Sequence, residues 1–100
     1  MGNVIIETLN SGVPLISTDC RYGPREILAP ETDTNTLIKD HIEIARYGIL
    51  TPTESVIHMA DAMQQMMTNV VLRNKYRKRG PERAADFDIK KIVRYYFDLF

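Results

Sequence analysis

The chain has 100 residues, 44% apolar and 26% charged, the balance of one small globular domain. Thirteen basic side chains offset thirteen acidic ones, so overall charge gives no case for a nucleic-acid partner. The single cysteine, Cys20, excludes an internal disulfide, and it has no partner at metal-ligand spacing.

The first segment, Asn3 to Ser11, reads as a helix. Asn3 is a suitable N-cap, and Gly12 followed by Pro14 is a strong stop. Val13 to Thr18 is a nearly continuous apolar run, as expected of a parallel strand covered on both faces. Asp19 to Pro24 form a loop, and Pro24 suits the first turn of a short helix through Leu28. Residues 29–40 are rich in Pro, Asp, Thr and Asn and read as a surface excursion. Ala45 to Leu50 is a second short strand, ending at Thr51-Pro52.

Thr53 opens a helix with apolar residues at Val56, Met59, Ala60, Met63, Met66, Met67 and Val70, a helical spacing. His58, Asp61 and Gln65 fall on its other side, and His58 and His41 read as surface residues. A third helix is expected over 70–78, interrupted or kinked at Gly80-Pro81. The last begins at Asp88 as N-cap, with an apolar stripe of Ile89, Ile92, Val93, Tyr96 and Phe100. This order is the back end of an α/β domain with a parallel sheet and a helix-rich C-terminus. A lone parallel pair buries little and leaves both edges open. The expectation is a single partial domain over 1–100, poorly stable alone or self-associating through the last helix.

No run approaches the ~20 apolar residues of a membrane span, and the start lacks the basic region and apolar core of a signal peptide. The expected location is the cytoplasm.

In open α/β sheets, ligands bind at the carboxyl ends of the strands, where helix N-termini also point. The start of the first helix, Gly2-Asn3-Val4, would lie there and favour a phosphate through its backbone N–H groups. Glu7, about a turn further along, could accept hydrogen bonds from a sugar diol. Asp19, Tyr22 and Gly23 leave the end of the first strand and would face the same crevice. Taken alone these signals are weak, because a glutamate early in a helix is more often a solvated residue.

Asn3 to Asp19 is similar to the donor-site segment of the group 1 glycosyltransferases, retaining enzymes of the two-domain GT-B type. Tyr22-Gly23-Pro24-Arg25-Glu26-Ile27-Leu28 resembles the loop that follows. Tyr47-Gly48-Ile49-Leu50-Thr51-Pro52 resembles the family's Tyr-Gly-x-Leu-Val-Pro strand, with Thr51 in place of the valine. Phe87-Asp88-Ile89 and Tyr95-Tyr96 resemble its closing helix. The resemblance implies a partial Rossmann-like domain, the C-terminal half of a GT-B nucleotide-sugar-binding domain. It also implies transfer of a sugar from a nucleoside-diphosphate donor to a hydroxyl acceptor, with no metal and no further cofactor, in polysaccharide, lipopolysaccharide or other glycan synthesis.

The family motif is Glu-x7-Glu, and Glu7 matches its second glutamate, which holds the ribose. The first would lie two positions before Met1, so no catalytic residue is assigned and the isolated chain is expected to be inactive. The resemblance places Gly2, Asn3, Val4 and Glu7 in the donor site, with Gly23 and Glu26 beside it. Glu26 also fits a plain first-turn carboxylate. The implied partners are a nucleotide sugar and a glycan or lipid-linked acceptor.

A rival reading is a non-enzymatic binding module. Arg73 to Arg83 carries six basic residues and one acidic, Glu82. Such a segment could contact anionic lipid headgroups at the inner membrane face, although a solvated helix face accounts for it as well.

Overall fold

The computed structural model describes residues 2–20, 23–33 and 37–99, with side chains described for 4–20, 23–33 and 37–87. Seven elements follow in the order α1 (Gly2–Asn10), β1 (Ile16–Thr18), α2 (Pro24–Leu28), β2 (Glu43–Ile44), β3 (Ile49–Thr51), α3 (Val56–Thr68) and α4 (Val70–Leu99). They form a small α/β domain around a three-stranded mixed sheet of order β1-β3-β2.

α1 already includes Gly2, so Asn3 lies inside its first turn and is not the N-cap. Its C-terminus closes as the sequence predicts. Gly12 adopts φ 72°, its N–H donates to the Leu9 carbonyl, and the Val13 N–H donates to the Thr8 carbonyl. This is a Schellman closure, which needs the left-handed residue that glycine supplies. Because Val13 is spent on the cap, β1 starts later than its apolar run suggests.

β1 pairs with β3 in parallel, Ile16 opposite Ile49 and Thr18 opposite Thr51. The apolar run from Ala45 does not begin a strand. The Ala45 N–H donates to the Gly48 carbonyl, turning the chain so that β3 pairs antiparallel with β2, Glu43 opposite Leu50. That two-residue strand has no apolar alternation to announce it. It covers the edge of β3 that the sequence reading leaves open.

Successive residues on a strand face opposite sides of a sheet, and Ile49 and Leu50 accordingly anchor two cores. Leu50 packs with Ile5 and Leu9 of α1, Ile27 and Leu28 of α2, and Ala84 of α4. Ile49 packs with Ala62 and Met66 of α3 and Leu72 and Tyr76 of α4. Helices thus cover both faces, and α4 contributes to both cores.

α3 begins later than Thr53, with Ser55 as the N-cap whose hydroxyl accepts from the His58 N–H. Of the stripe its apolar spacing predicts, Met66 is buried and Met59 half-buried, but the inward face includes Ala62 in place of the rest. Ala62 and Met66 are buried, whereas Val56 is 85%, Ile57 82% and Met67 70% exposed. The helix carries more apolar residues than one face can hold, and Ala62 and Met66 are the ones that join Ile49 in the core. His58 is half-buried and bonded to Ser55, not a plain surface residue; His41 is exposed beside Asp40.

α4 runs unbroken through Pro81, where the sequence predicts an interruption. Leu72, Tyr76, Gly80 and Ala84 form an inward row at every fourth residue, all buried. Gly80 is the crossing point with α1: a Cβ there would stand 2.7 Å from the Leu9 carbonyl oxygen. Pro81 forfeits one helical hydrogen bond, to the Arg77 carbonyl, and packing along this row outweighs it. Asp88 therefore lies within a helix and is not an N-cap. The stripe from Ile89 to Phe100 lies outside the described side chains.

Candidate functional site

A dense polar cluster joins the end of β1 to α2 and β2. Asp19 follows the last residue of β1, and its backbone N–H donates to the Thr51 carbonyl at 2.7 Å. Its side chain is fully buried and that of Arg25 is 6% exposed. Arg25 Nε and Nη2 fork onto the Asp19 carboxylate, with Nη2 2.7 Å from Oδ2. Nη1 and Nη2 also reach Glu43 Oε2 and Oε1, at 3.2 and 2.8 Å. Nη1 donates to the Thr32 hydroxyl at 2.9 Å as well. Every guanidinium N–H thereby has an acceptor. The Asp19 hydrogen bond, then that of Glu43, holds Arg25 still more firmly protonated than an ordinary arginine. Asp19 Oδ2 also accepts from the Ile38 N–H at 2.9 Å.

This network corrects one sequence expectation. Asp19 does leave the end of the strand, but its carboxylate is committed to Arg25 and Ile38 and does not face a crevice. Nor are residues 29–40 wholly superficial: Ala29 is buried, and Thr32 and Ile38 belong to the network. Sequence reasoning missed Arg25 and Glu43, since neither a six-residue nor an eighteen-residue separation is a local pattern.

α2 is held at both ends. Gly23 precedes it at φ 133°, a conformation reserved to glycine, and Pro24 opens its first turn. At its other end, Arg83 of α4 donates to the Glu26 and Ile27 carbonyls at 3.0 and 2.9 Å. The Tyr47 N–H takes the Leu28 carbonyl. The guanidinium of Arg83 also lies over the rings of Phe87 and Tyr47.

The expected donor residues fall on α1 and α2. Gly2, Asn3 and Val4 form the first turn of α1, and Val4 is 67% exposed. Glu7 is exposed while Ile5 and Leu9 turn inward. Glu26 is exposed on α2. The two helices share the core of Ile5, Leu9, Ile27 and Leu28, which places these residues on neighbouring helices. Tyr22 lies outside the described residues.

Two open clefts lie elsewhere. One, of about 700 Å³, is lined by Arg25, Thr32, Ile38, Lys39, His41 and Glu43 among others. Within it the His41 ring, by its hydrogen bond, holds the Asp40 carboxyl below its usual value. The other, of about 440 Å³, lies between Arg46, Lys75 and Arg79. Of the expected donor residues with described side chains, Val4, Glu7, Gly23 and Glu26, none lines either cleft. No group of three His, Cys, Asp or Glu among the described residues could hold a metal ion.

The basic segment is partly consumed by the fold. Arg83 caps α2, and Arg79 donates to the Arg46 carbonyl. At 100° per residue, Lys75, Lys78 and Arg79 fall to one side of α4 while Arg73 and Arg77 fall to another. No described helix is long and apolar enough to cross a membrane.

Over 92% of its length the chain is 40% identical to an uncharacterized glycosyltransferase of Methanocaldococcus jannaschii, of which it spans 26%. Over 97% of its length it is 27% identical to an exopolysaccharide phosphotransferase of Streptomyces coelicolor, of which it spans 9%. The chain thus covers about a quarter and about a tenth of these relatives. No family model matches it, and no solved structure matches significantly.

Proposed function

We propose that this chain is the nucleotide-binding portion of a glycosyltransferase of the retaining GT-B type. In this reading α1 receives the diphosphate and Glu7 the ribose of a nucleoside-diphosphate sugar. The carrying observation is the way α1 lies against the sheet. Ile5 and Leu9, a turn apart, both join the core that holds Leu50 of β3. A tight Schellman turn then leads from α1 into β1. In α/β units a helix joined by a tight turn to the strand that follows runs antiparallel to that strand, which would set the N-terminus of α1 toward the carboxyl ends of the parallel pair β1 and β3. That is where open α/β sheets bind ligands and where unpaired helical N–H groups favour phosphate.

The names of the two relatives differ in the group moved. A segment common to both fits a part that holds the donor better than one that chooses the reaction. The remaining roles follow from the resemblance: Gly2 lets a phosphate approach the backbone, Asn3 and Val4 offer N–H groups, and Gly23 and Glu26 border the sugar. No metal or additional cofactor is assigned. The acceptor would be a glycan or lipid-linked hydroxyl, reached at the cytoplasmic membrane face.

The test is equilibrium titration of the 100-residue chain with UDP, GDP and ADP. One of them binds in the millimolar range, about 4 kcal/mol. The Glu7→Gln variant and the 2′,3′-dideoxy nucleotide each weaken that binding by about tenfold. Binding that is indifferent to both changes removes Glu7 from the ribose site. The chain alone transfers no sugar, and detectable transfer would contradict its assignment as a half-site.

A further inference from the structure

The Asp19–Arg25–Glu43 network does more than pack. α2 has five residues, too few to be stable by its own hydrogen bonds. Its orientation is therefore imposed from outside, by Arg83 and the Tyr47 N–H at its C-terminal end and by Arg25 at its first turn. Arg25 lies between two residues of the proposed donor site, Gly23 and Glu26. Its guanidinium contacts Asp19 at the carboxyl end of β1 and Glu43 on β2. A planar fork that meets two carboxylates fixes direction as well as distance, which a lysine ammonium cannot do. Buried ion pairs are poor sources of net stability compared with apolar packing, and their best-attested use is to specify one geometry.

We infer that Arg25 is a positioning residue: by bridging Asp19 and Glu43 it holds the first turn of α2, with Gly23 and Glu26, at the carboxyl end of β1. This rests on the reading of Gly23 and Glu26 as donor-site residues. Arg25 itself touches no ligand, because all its donors are committed within the protein.

Cys20, the single thiol of the chain, is half-buried next to Asp19 and reports on this junction. The experiment is the rate of Cys20 alkylation by iodoacetamide in the parent chain, Arg25→Lys and Glu43→Gln. Each rate is normalised to that of the unfolded chain and followed through low urea. Both variants react about tenfold faster than the parent, and below the unfolding transition the rates do not change with urea, as local opening requires. Rates equal to the parent's overturn the proposal, as do rates that climb with urea in step with global unfolding.

The same samples are titrated with the nucleoside diphosphate that binds the parent chain. A severalfold loss of affinity in both variants supports positioning. Unchanged affinity beside accelerated alkylation overturns it, since the latch would then open without disturbing the site. If the parent chain binds no nucleoside diphosphate, the donor-site reading fails, and the latch stands or falls on Cys20 alone.

Discussion

The hydroxyl of Tyr76 lies 2.6 Å from the Ala45 carbonyl oxygen, tying the middle of α4 to the turn between β2 and β3. The same hydroxyl is 3.1 Å from the Gly48 carbonyl at the other end of that turn. The ring is 1% exposed, so one side chain both fills the core under Ile49 and holds the hairpin in place. Tyr76→Phe keeps the ring and loses the bond. Chemical denaturation should show a loss of about 1 kcal/mol.

Burial also pushes the Tyr76 phenol well above its ordinary value of 10.0. A pKa raised on folding means that stability is complete below about pH 10 and falls above it, because only the unfolded chain then releases the proton. The parent chain should lose up to about 1.4 kcal/mol more per pH unit than Tyr76→Phe above that point. Parallel denaturation curves at pH 9 and pH 11 measure the difference. Equal losses in the two proteins would show that the phenol ionises freely in the fold.

Asp19 and Glu43 share one guanidinium unequally. The Asp19 side chain is fully buried, whereas that of Glu43 is 25% exposed. Asp19→Ala leaves two buried N–H groups of Arg25 without an acceptor, while Glu43 remains as counter-charge, and should cost about 3 kcal/mol, a large part of the stability of a domain this size. Glu43→Gln keeps an acceptor for Arg25 and should cost about 1 kcal/mol. Urea denaturation of the two variants measures both values.

The Thr51 hydroxyl is buried with no hydrogen-bond partner among the described residues. Thr51→Val removes an unsatisfied polar atom while keeping a β-branched shape. It should raise stability by about 1 kcal/mol, read as a higher denaturation midpoint with an unchanged slope.

Gly80→Ala would stabilise an exposed helix by about 1 kcal/mol through propensity alone. Here the added methyl meets the Leu9 backbone at 2.7 Å, and neither helix can yield without moving the other. The expected outcome is a loss of about 1–3 kcal/mol by overpacking, measured by thermal melting.

Much of the architecture is legible in the sequence because local chemistry writes it. The Gly12 stop and the Pro24 start follow from short-range patterns, and the parallel pairing of β1 with the strand through Leu50 follows from the order of elements. What escapes is set by contacts distant along the chain. The Gly80-Pro81 pair reads as a break, and only the crossing with α1 shows that the glycine is clearance for Leu9. The methionine-rich α3 carries more apolar residues than one face can hold, and only the fold shows that Ala62 lies on its inward side. β2 consists of Glu43 and Ile44, too short for any periodicity. At the site, Glu7, Gly23 and Glu26 are named by resemblance. Arg25 stands between two of them unremarked, because its partners Asp19 and Glu43 are recognisable only once folded.

The central claim is that the first turn of α1 and Glu7 form half of a nucleotide-sugar site. The most direct measurement is amide NMR of the 100-residue chain titrated with nucleoside diphosphates. The account predicts saturable shifts concentrated at Asn3, Val4 and Glu7, with smaller ones at Gly23 and Glu26, and their loss in Glu7→Gln. Shifts confined to the cleft around Lys39 and His41, or none with any nucleoside diphosphate, would contradict it.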